Sequence, residues 1–207
     1  MKFPGARILI FAKAPCPGWV KTRLIPPLTP QEAADLHGLL LTGTAARLAD
    51  ADLAPIDLWC APDTEDDLFR ALARDHGLSL QAQQGADLGE RMGNAVAYAL
   101  RHGDSVVMVG TDCPPLDGAY VSAALAALGD SDAVLGPAED GGYVLLGLRR
   151  MAPKLFTNMP WGTQRVAAMT RERLRSLGWS WTELPVLWDL DRPEDLNRYS
   201  AWLIAEE

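Results

Sequence analysis

Residues 105–129 read SVVMVGTDCPPLDGAYVSAALAALG. The opening SVVMVG is the most strand-like segment of the chain, a short continuous apolar run of the kind buried on both faces of a parallel sheet. A proline-stiffened loop, TDCPPL, follows it, and DGAYVSAALAALG then has the composition and length of a helix. One strand, one loop and one helix in twenty-five residues is half of a parallel crossover unit.

The same alternation extends in both directions. RILIFA is a second apolar run near the amino terminus. Thr29-Pro30-Gln31-Glu32 is a capping box with proline at the first helical position, and Leu36, Leu40 and Leu48 then mark one side of a helix. IDLWC reads as a strand, DTEDDLFRALARDHG as a helix with acids in its first turn and Gly77 at its end, and LSLQAQ as a strand. Leu88 to Leu100 is helical in pattern, with Gly103 closing it. DAVLG and YVLLGL are strands, TQRVAAMTRERLRSLG is a helix with Thr163 at its N-cap, and WSWTELPVLW is strand-like. A last helix starts at Asp191, whose spacing to Glu194 is that of a capping box. Trp179 and Trp181 share one face of their strand, as core or as a subunit contact. The expectation is an α/β protein: a three-layer α/β/α sandwich with a mainly parallel, mixed sheet and one domain spanning residues 1–207.

Composition narrows the function. The 207 residues are 48% hydrophobic and 22% charged, as in ordinary globular proteins, with a formal net charge of -8. That charge argues against nucleic acid as a partner, because backbone binding needs a basic face. Cys16, Cys60 and Cys113 are odd in number and lack C-x-x-C spacing, which suits reduced thiols in a cytoplasmic protein. No apolar run reaches the length of a membrane span.

Ligands of parallel sheets bind beyond the carboxyl ends of the strands, which directs attention to the loops. After RILIFA comes KAPCPGWVKTR, where Lys13, Lys21 and Arg23 stand in a stretch with no carboxylate from Met1 to Gln31. Either a polyphosphate satisfies them or they form a solvated surface loop; neither a P-loop nor a Rossmann fingerprint is present. Asp112, just beyond a buried strand, is placed either to hold Mg2+ or Mn2+ or to cap its own turn. In WDLDRPEDL, Asp191 is the N-cap residue, leaving Asp189 free to share a metal with Asp112. Asp140 in EDGGY either contacts a sugar or acceptor hydroxyl or supports the turn. Trp161 in PWGT either stacks on a sugar or packs as a staple. Cys113 lacks a base and reads as a buried thiol, and His37, His76 and His102 have no metal-ligand spacing.

Taken together, FAKAPCPGWVKTRL, GADLGERM, GTDCPPL, EDGGYVLLGL, PWGT and DLDRPEDL resemble the nucleotide-diphospho-sugar transferase superfamily with the glycosyltransferase-A fold. Within it they resemble a small bacterial family of the DUF2064 type, labelled as glycosyltransferases. The resemblance implies a nucleotide held by the first loop, through Phe11, Ala12, Lys13, Pro15, Gly18, Lys21 and Arg23. It places Gln84, Gly85, Asp87 and Gly89 near the base or ribose. Asp112 becomes the metal-side carboxylate, with Asp189 as its companion. Asp140, Gly141, Gly142 and Tyr143, with Trp161, Gly162 and Thr163, surround the transferred group or acceptor. Two departures stand out. Nucleotide-transferring relatives begin with L-A-A-G-x-G-x-R-M, which this cationic loop replaces, and the D-x-D of sugar-transferring relatives is here Gly110-Thr111-Asp112.

The expected activity is therefore glycosyl transfer from a nucleotide-diphospho-sugar with Mg2+ or Mn2+, using Lys21 and Asp112 at the leaving diphosphate and Asp140 as base. The alternatives are nucleotidyl transfer from a nucleoside triphosphate to a small phosphorylated or acidic substrate, and a nucleotide-binding protein without turnover. The partners would be a nucleotide and a small-molecule acceptor, with a homodimer allowed.

Overall fold

The computed structural model describes residues 1–206. Its seven strands are β1 Ala6–Lys13, β2 Ile56–Ala61, β3 Ser79–Ala82, β4 Ser105–Val109, β5 Ala133–Pro137, β6 Tyr143–Leu148 and β7 Trp181–Glu183. They form one sheet in the order β3-β2-β1-β4-β6-β5-β7. Every pairing is parallel except those of β6, which runs antiparallel to both β4 and β5. The six helices are α1 Pro30–Asp50, α2 Asp67–His76, α3 Leu88–Ala99, α4 Gly118–Ala127, α5 Val166–Ser176 and α6 Asp195–Glu206.

The alternation of side chains along each strand builds two cores. Ile8, Ile10, Leu58, Val107 and Val109 face one side with Leu41 and Leu48 of α1, Phe69 of α2 and Val121 and Leu125 of α4. Leu9, Trp59, Val106 and Met108 face the other, packed with Met92 and Val96 of α3 and Ala167 and Leu174 of α5. Helices thus cover both faces, and each fully buried leucine or isoleucine contributes about 1.5–3 kcal/mol. A third cluster of Leu24, Leu40, Trp188 and Leu190 is joined by Leu196, Tyr199 and Trp202 of α6. It fastens the last helix beside α1.

Local signals act largely as read. Thr29 accepts from Glu32 N–H while Glu32 reaches back to Thr29 N–H, completing the capping box. Gly77 ends α2 at φ +68, a conformation that glycine adopts without steric cost. Trp179 is core, with the Arg150 guanidinium 4.6 Å from its ring centre.

Four boundaries differ. The last helix starts at Asp195, and Asp191 is not its N-cap. The Asp195 carboxylate instead accepts from the N–H groups of Asp191 and Arg192, while the Asp191 side chain is drawn away to Arg23. Thr163 also lies outside its helix, which begins at Val166, and its hydroxyl donates to Pro160 O at 2.7 Å. Gly103 does not close α3, which ends at Ala99 with Leu100 as its C-cap; a Cβ at Gly103 would sit 2.8 Å from Gly5 O. The strand-like run after Trp179 gives only three paired residues in β7, followed by an isolated parallel bridge from Ala138 to Leu187. Pro185 interrupts that run, since proline donates nothing to a ladder.

At the far end of the sheet from the loops discussed below, Asp57 is fully buried and meets Arg7 through two parallel bonds of 2.8 and 2.5 Å. Removing one partner of such a pair strands a buried charge. Asp57→Ala should therefore lower stability by about 3–5 kcal/mol in urea unfolding, whereas Arg7→Met with Asp57→Leu should cost far less.

Candidate functional site

The chain runs outward from β1 through β2 and β3 on one side and then crosses back to place β4 on the other side of β1, so the strand order reverses between β1 and β4. A crevice opens at the carboxyl ends of strands at such a point. The loops after β1 and β4, together with residues 189–191, converge there around one ammonium group.

Lys21 is held at φ +49, a left-handed conformation uncommon outside glycine. Its side chain is only 2% exposed, and Nζ lies 2.7 Å from Asp112 Oδ1. It also donates to Leu190 O, and Leu190 N–H donates to Asp112 O at 2.7 Å. The three loops are thereby tied together. Asp112 Oδ1 is itself buried against this ammonium, although nearly half of the Asp112 side chain is exposed. Burial pushes the Asp112 carboxyl up, but the charge of Lys21, aided by His37 and Lys13, outweighs it and holds the pKa below the ordinary value.

Arg23 pairs with Asp191 at 2.5 Å, and both groups are partly open to solvent. Exposed pairs contribute about 0–1 kcal/mol, so Arg23 can exchange this partner at small cost. Lys13 is exposed at the end of β1 and has no carboxylate within ion-pair distance among the described residues. The sequence reading left all three cations to an external anion. The fold instead gives Lys21 and Arg23 carboxylates from far along the chain.

Phe11, Ala12, Lys13, Lys21, Arg23 and Asp112 all line a cleft of about 290 Å³. Among the other residues lining it, His37 and Trp19 were not selected by sequence reasoning. His37, on α1, is buried, bonds Lys13 O through Nε2 at 3.0 Å and places Nδ1 3.9 Å from Asp112 Oδ1. Burial lowers its pKa against the pull of Asp112. The signal was its place on the buried side of α1, between Ala33, Ala34 and Leu41. Trp19 is the other, 82% exposed at the cleft wall.

Phe11, Leu88 and Gly110 continue into a second cleft of about 230 Å³, lined also by Asp140, Gly142, Tyr143, Trp161, Gly162 and Thr163. Tyr143 and Trp161 meet edge to face at 6.3 Å and 83°. Asp140 Oδ1 accepts from Gly142 N–H at 2.7 Å. Gly141, at φ +86, has no room for a side chain, because a Cβ would fall 2.3 Å from Gln164 O.

Some predicted residues have other places. Pro15 and Gly18 shape the first loop without lining either cleft. Asp87 is the N-cap of α3, accepting from Glu90 N–H at 2.9 Å, and Gly89 packs so closely that a Cβ would meet Phe156 O. Gln84 accepts from Asn94 through its carbonyl, Gly85 accepts from Arg91 Nε, and it is Gln83 that lines the cationic cleft. Cys113 is buried and its thiol is pushed up to about 12 by desolvation, so it offers no thiolate nucleophile.

Asp189 lies in an acidic hollow with Asp140 and Asp191. Burial, then the neighbouring charges of Asp140, Asp191 and Asp112, raise its pKa to about 6. Among the described residues no three His, Cys, Asp or Glu side chains form a complete metal cage. Asp112 is paired with Lys21 and Asp191 with Arg23, but Asp189 and Asp140 have no ion-pair partner among the described residues, and such oxygen donors suit a hard divalent cation that takes one or two carboxylates and completes its shell with water and phosphate.

The family model described as an uncharacterized protein conserved in bacteria, DUF2064, matches residues 44–163. The chain is 35% identical to a crystal structure from Desulfovibrio desulfuricans G20 provisionally designated a nucleotide-diphospho-sugar transferase. That match has a TM-score of 0.82 and covers 92% of this chain and 84% of that one. A CMP:2-keto-3-deoxy-manno-octonic acid synthetase complexed with CTP is 12% identical, with a TM-score of 0.62 and coverage of 98% and 99%. Glucosyl-3-phosphoglycerate synthase from Mycobacterium tuberculosis, in complex with Mn2+, UDP and glucosyl-3-phosphoglycerate, is 13% identical, with a TM-score of 0.57 and coverage of 98% and 78%. These last two share the fold. No curated protein matched the chain.

The raised pKa of Asp189 has a definite sign. Between its unfolded value near 3.8 and its folded value near 6 the native state binds the extra proton, so stability falls as pH rises through that window. Asp189→Asn should flatten that decline and stabilise the protein at pH 7 by on the order of 1 kcal/mol after solvent screening, read from unfolding curves across pH 4–8.

Proposed function

The chain belongs to the DUF2064 family, and on that footing we propose that it is a transferase acting on a nucleotide-diphospho-sugar, with a divalent cation assisting. The carrying observation is the meeting, at the strand-order reversal, of a cleft lined by Lys13, Lys21 and Arg23 with the carboxylate of Asp112. Fixed charge of this kind is often the largest single contribution to catalysis, worth about 3–4 kcal/mol per group in comparable sites.

Lys13 and Arg23 bind the diphosphate, the first unpaired among the described residues and the second releasing Asp191. Lys21 keeps its buried position and contributes fixed positive charge while orienting Asp112. Asp112, with Asp189, would hold Mg2+ or Mn2+, which when bound neutralises charge on the departing diphosphate. The second cleft takes the sugar and the acceptor, with Trp161 and Tyr143 as its aromatic wall. The bond between the sugar's anomeric carbon and the diphosphate oxygen breaks as the acceptor oxygen bonds to that carbon. The acceptor's proton passes to Asp140. The nearly carboxylate-free first loop of an otherwise acidic chain supports the same reading, since it supplies local attraction for an anion. Free cysteines and the lack, among the described residues, of a helix long and apolar enough to cross a membrane support a cytoplasmic setting.

One observation favours a second reading. Gly110 stands where sugar-transferring relatives carry the first acid of D-x-D, so Asp112 has a thinner donor set than theirs. Nucleotidyl transfer from a nucleoside triphosphate to a small phosphorylated or acidic substrate would use the same cations and release pyrophosphate.

Thermal unfolding with nucleoside triphosphates and sugar nucleotides, each with and without Mn2+, tests ligand and metal together. A ligand at about 100 times its Kd stabilises by about 2.7 kcal/mol, a rise on the order of 5–10 °C for a chain this size. Asp112→Ala should remove the Mn2+-dependent part of that rise, and an unchanged rise removes Asp112 from the site. With the best ligand, release of nucleoside diphosphate supports sugar transfer and release of pyrophosphate supports the second reading. Binding without any turnover would leave a nucleotide-binding protein.

A further inference from the structure

Beside the cationic cleft lies a larger cavity, of about 550 Å³. The two share Lys13, Trp19, Val20 and Gln83, so they are neighbouring chambers with a common wall. Nothing in the proposed chemistry uses this chamber or explains why Trp19 is 82% exposed on it. We propose that Trp19 is the stacking platform for the nucleobase of the donor, and that Gln83 and Arg91 bind its polar edge. This inference rests on the reading of the protein as nucleotide-dependent.

Trp19 follows Gly18, whose φ of +78 and open surroundings leave the indole projecting from the turn in which Trp19 N–H bonds Cys16 O. A projecting indole keeps a large apolar face in water, a cost recovered when a flat partner covers it. Nucleobases of every kind have such a face, and stacking on an aromatic side chain is sequence-tolerant. The chamber walls are chiefly apolar, with Val20 and Pro62 among them, as suits a base more than a free sugar or phosphate.

Its polar groups are few and partly fixed. Gln83 Nε2 donates to Ala12 O at 3.1 Å and Trp59 O at 2.9 Å, which commits both amide hydrogens and leaves Oε1 as the acceptor available to a ligand. Arg91 is anchored through Nε to Gly85 O at 3.1 Å and keeps its terminal nitrogens as donors. One acceptor and one donor suit the hydrogen-bonding edge of a base. With the base here, its diphosphate falls next to Lys13 across the shared wall.

The test is calorimetric titration of the wild type, Trp19→Ala and Trp19→Phe with inorganic pyrophosphate and with the diphosphates of uridine, cytidine, guanosine and adenosine. The expected result is that Trp19→Ala weakens the best-bound nucleoside diphosphate about 10-fold or more, leaves pyrophosphate within about 2-fold, and is largely rescued by Trp19→Phe. Equal losses for both probes, or no loss for the nucleotide, overturn the platform while leaving the transferase reading intact. A wild type that binds neither probe overturns both. If sedimentation instead shows a dimer that Trp19→Ala dissociates with nucleotide affinity unchanged, Trp19 is a subunit contact and the proposal fails.

Discussion

The site depends on where one buried ammonium group sits. Lys21 ties the loop after β1 to the loop after β4 and to the segment before α6, through Asp112 and Leu190. Each of these segments follows a different strand, and the apolar contact of Leu24 with Trp188 and Leu190 adds to the hold between the first and the last of them. A charge removed from water keeps its partners close, because desolvation makes separation costly. Asp112 is therefore presented in a defined orientation with one oxygen turned inward. The same contact separates the buried Lys21 from Lys13 and Arg23, which stay open to solvent.

A cleft lined by cations in a chain of net charge -8 is built by local segregation. The first thirty-one residues contribute cations and no acids, whereas Asp140, Asp189 and Asp191 collect in the adjoining acidic hollow. The two fields are only a few side chains apart, and Arg23 stands between them on Asp191. Such an arrangement separates a place that attracts phosphate from one that attracts a cation or a proton.

Much of this was legible in the chain because strand and helix patterns are local. The apolar runs that became β1, β4 and β6 and the capping box before α1 needed no tertiary information. Loop chemistry after strands was legible too, since Lys13, Asp112 and Asp140 are placed by the sheet that precedes them. What escaped was long-range pairing. The acid that meets Lys21 and the guanidinium that draws Asp191 from its expected cap are fixed by the strand order, which residue spacing does not encode. His37 was missed because a histidine on an apolar helix face reads as core, and Trp19 because nothing local separates a projecting aromatic from a packed one.

Gly110 has a further consequence. A Cβ built there meets no atom within 4 Å, and its backbone does not occupy the left-handed region, so neither crowding nor chain geometry requires glycine. The residue nonetheless lies at the junction of the cationic and aromatic clefts. It works as an open doorway: a larger residue would form a partition between the rooms, and an acidic one would bring negative charge to the threshold. The width of the passage between the two rooms is thus set at a position where the fold itself is indifferent to what the chain carries.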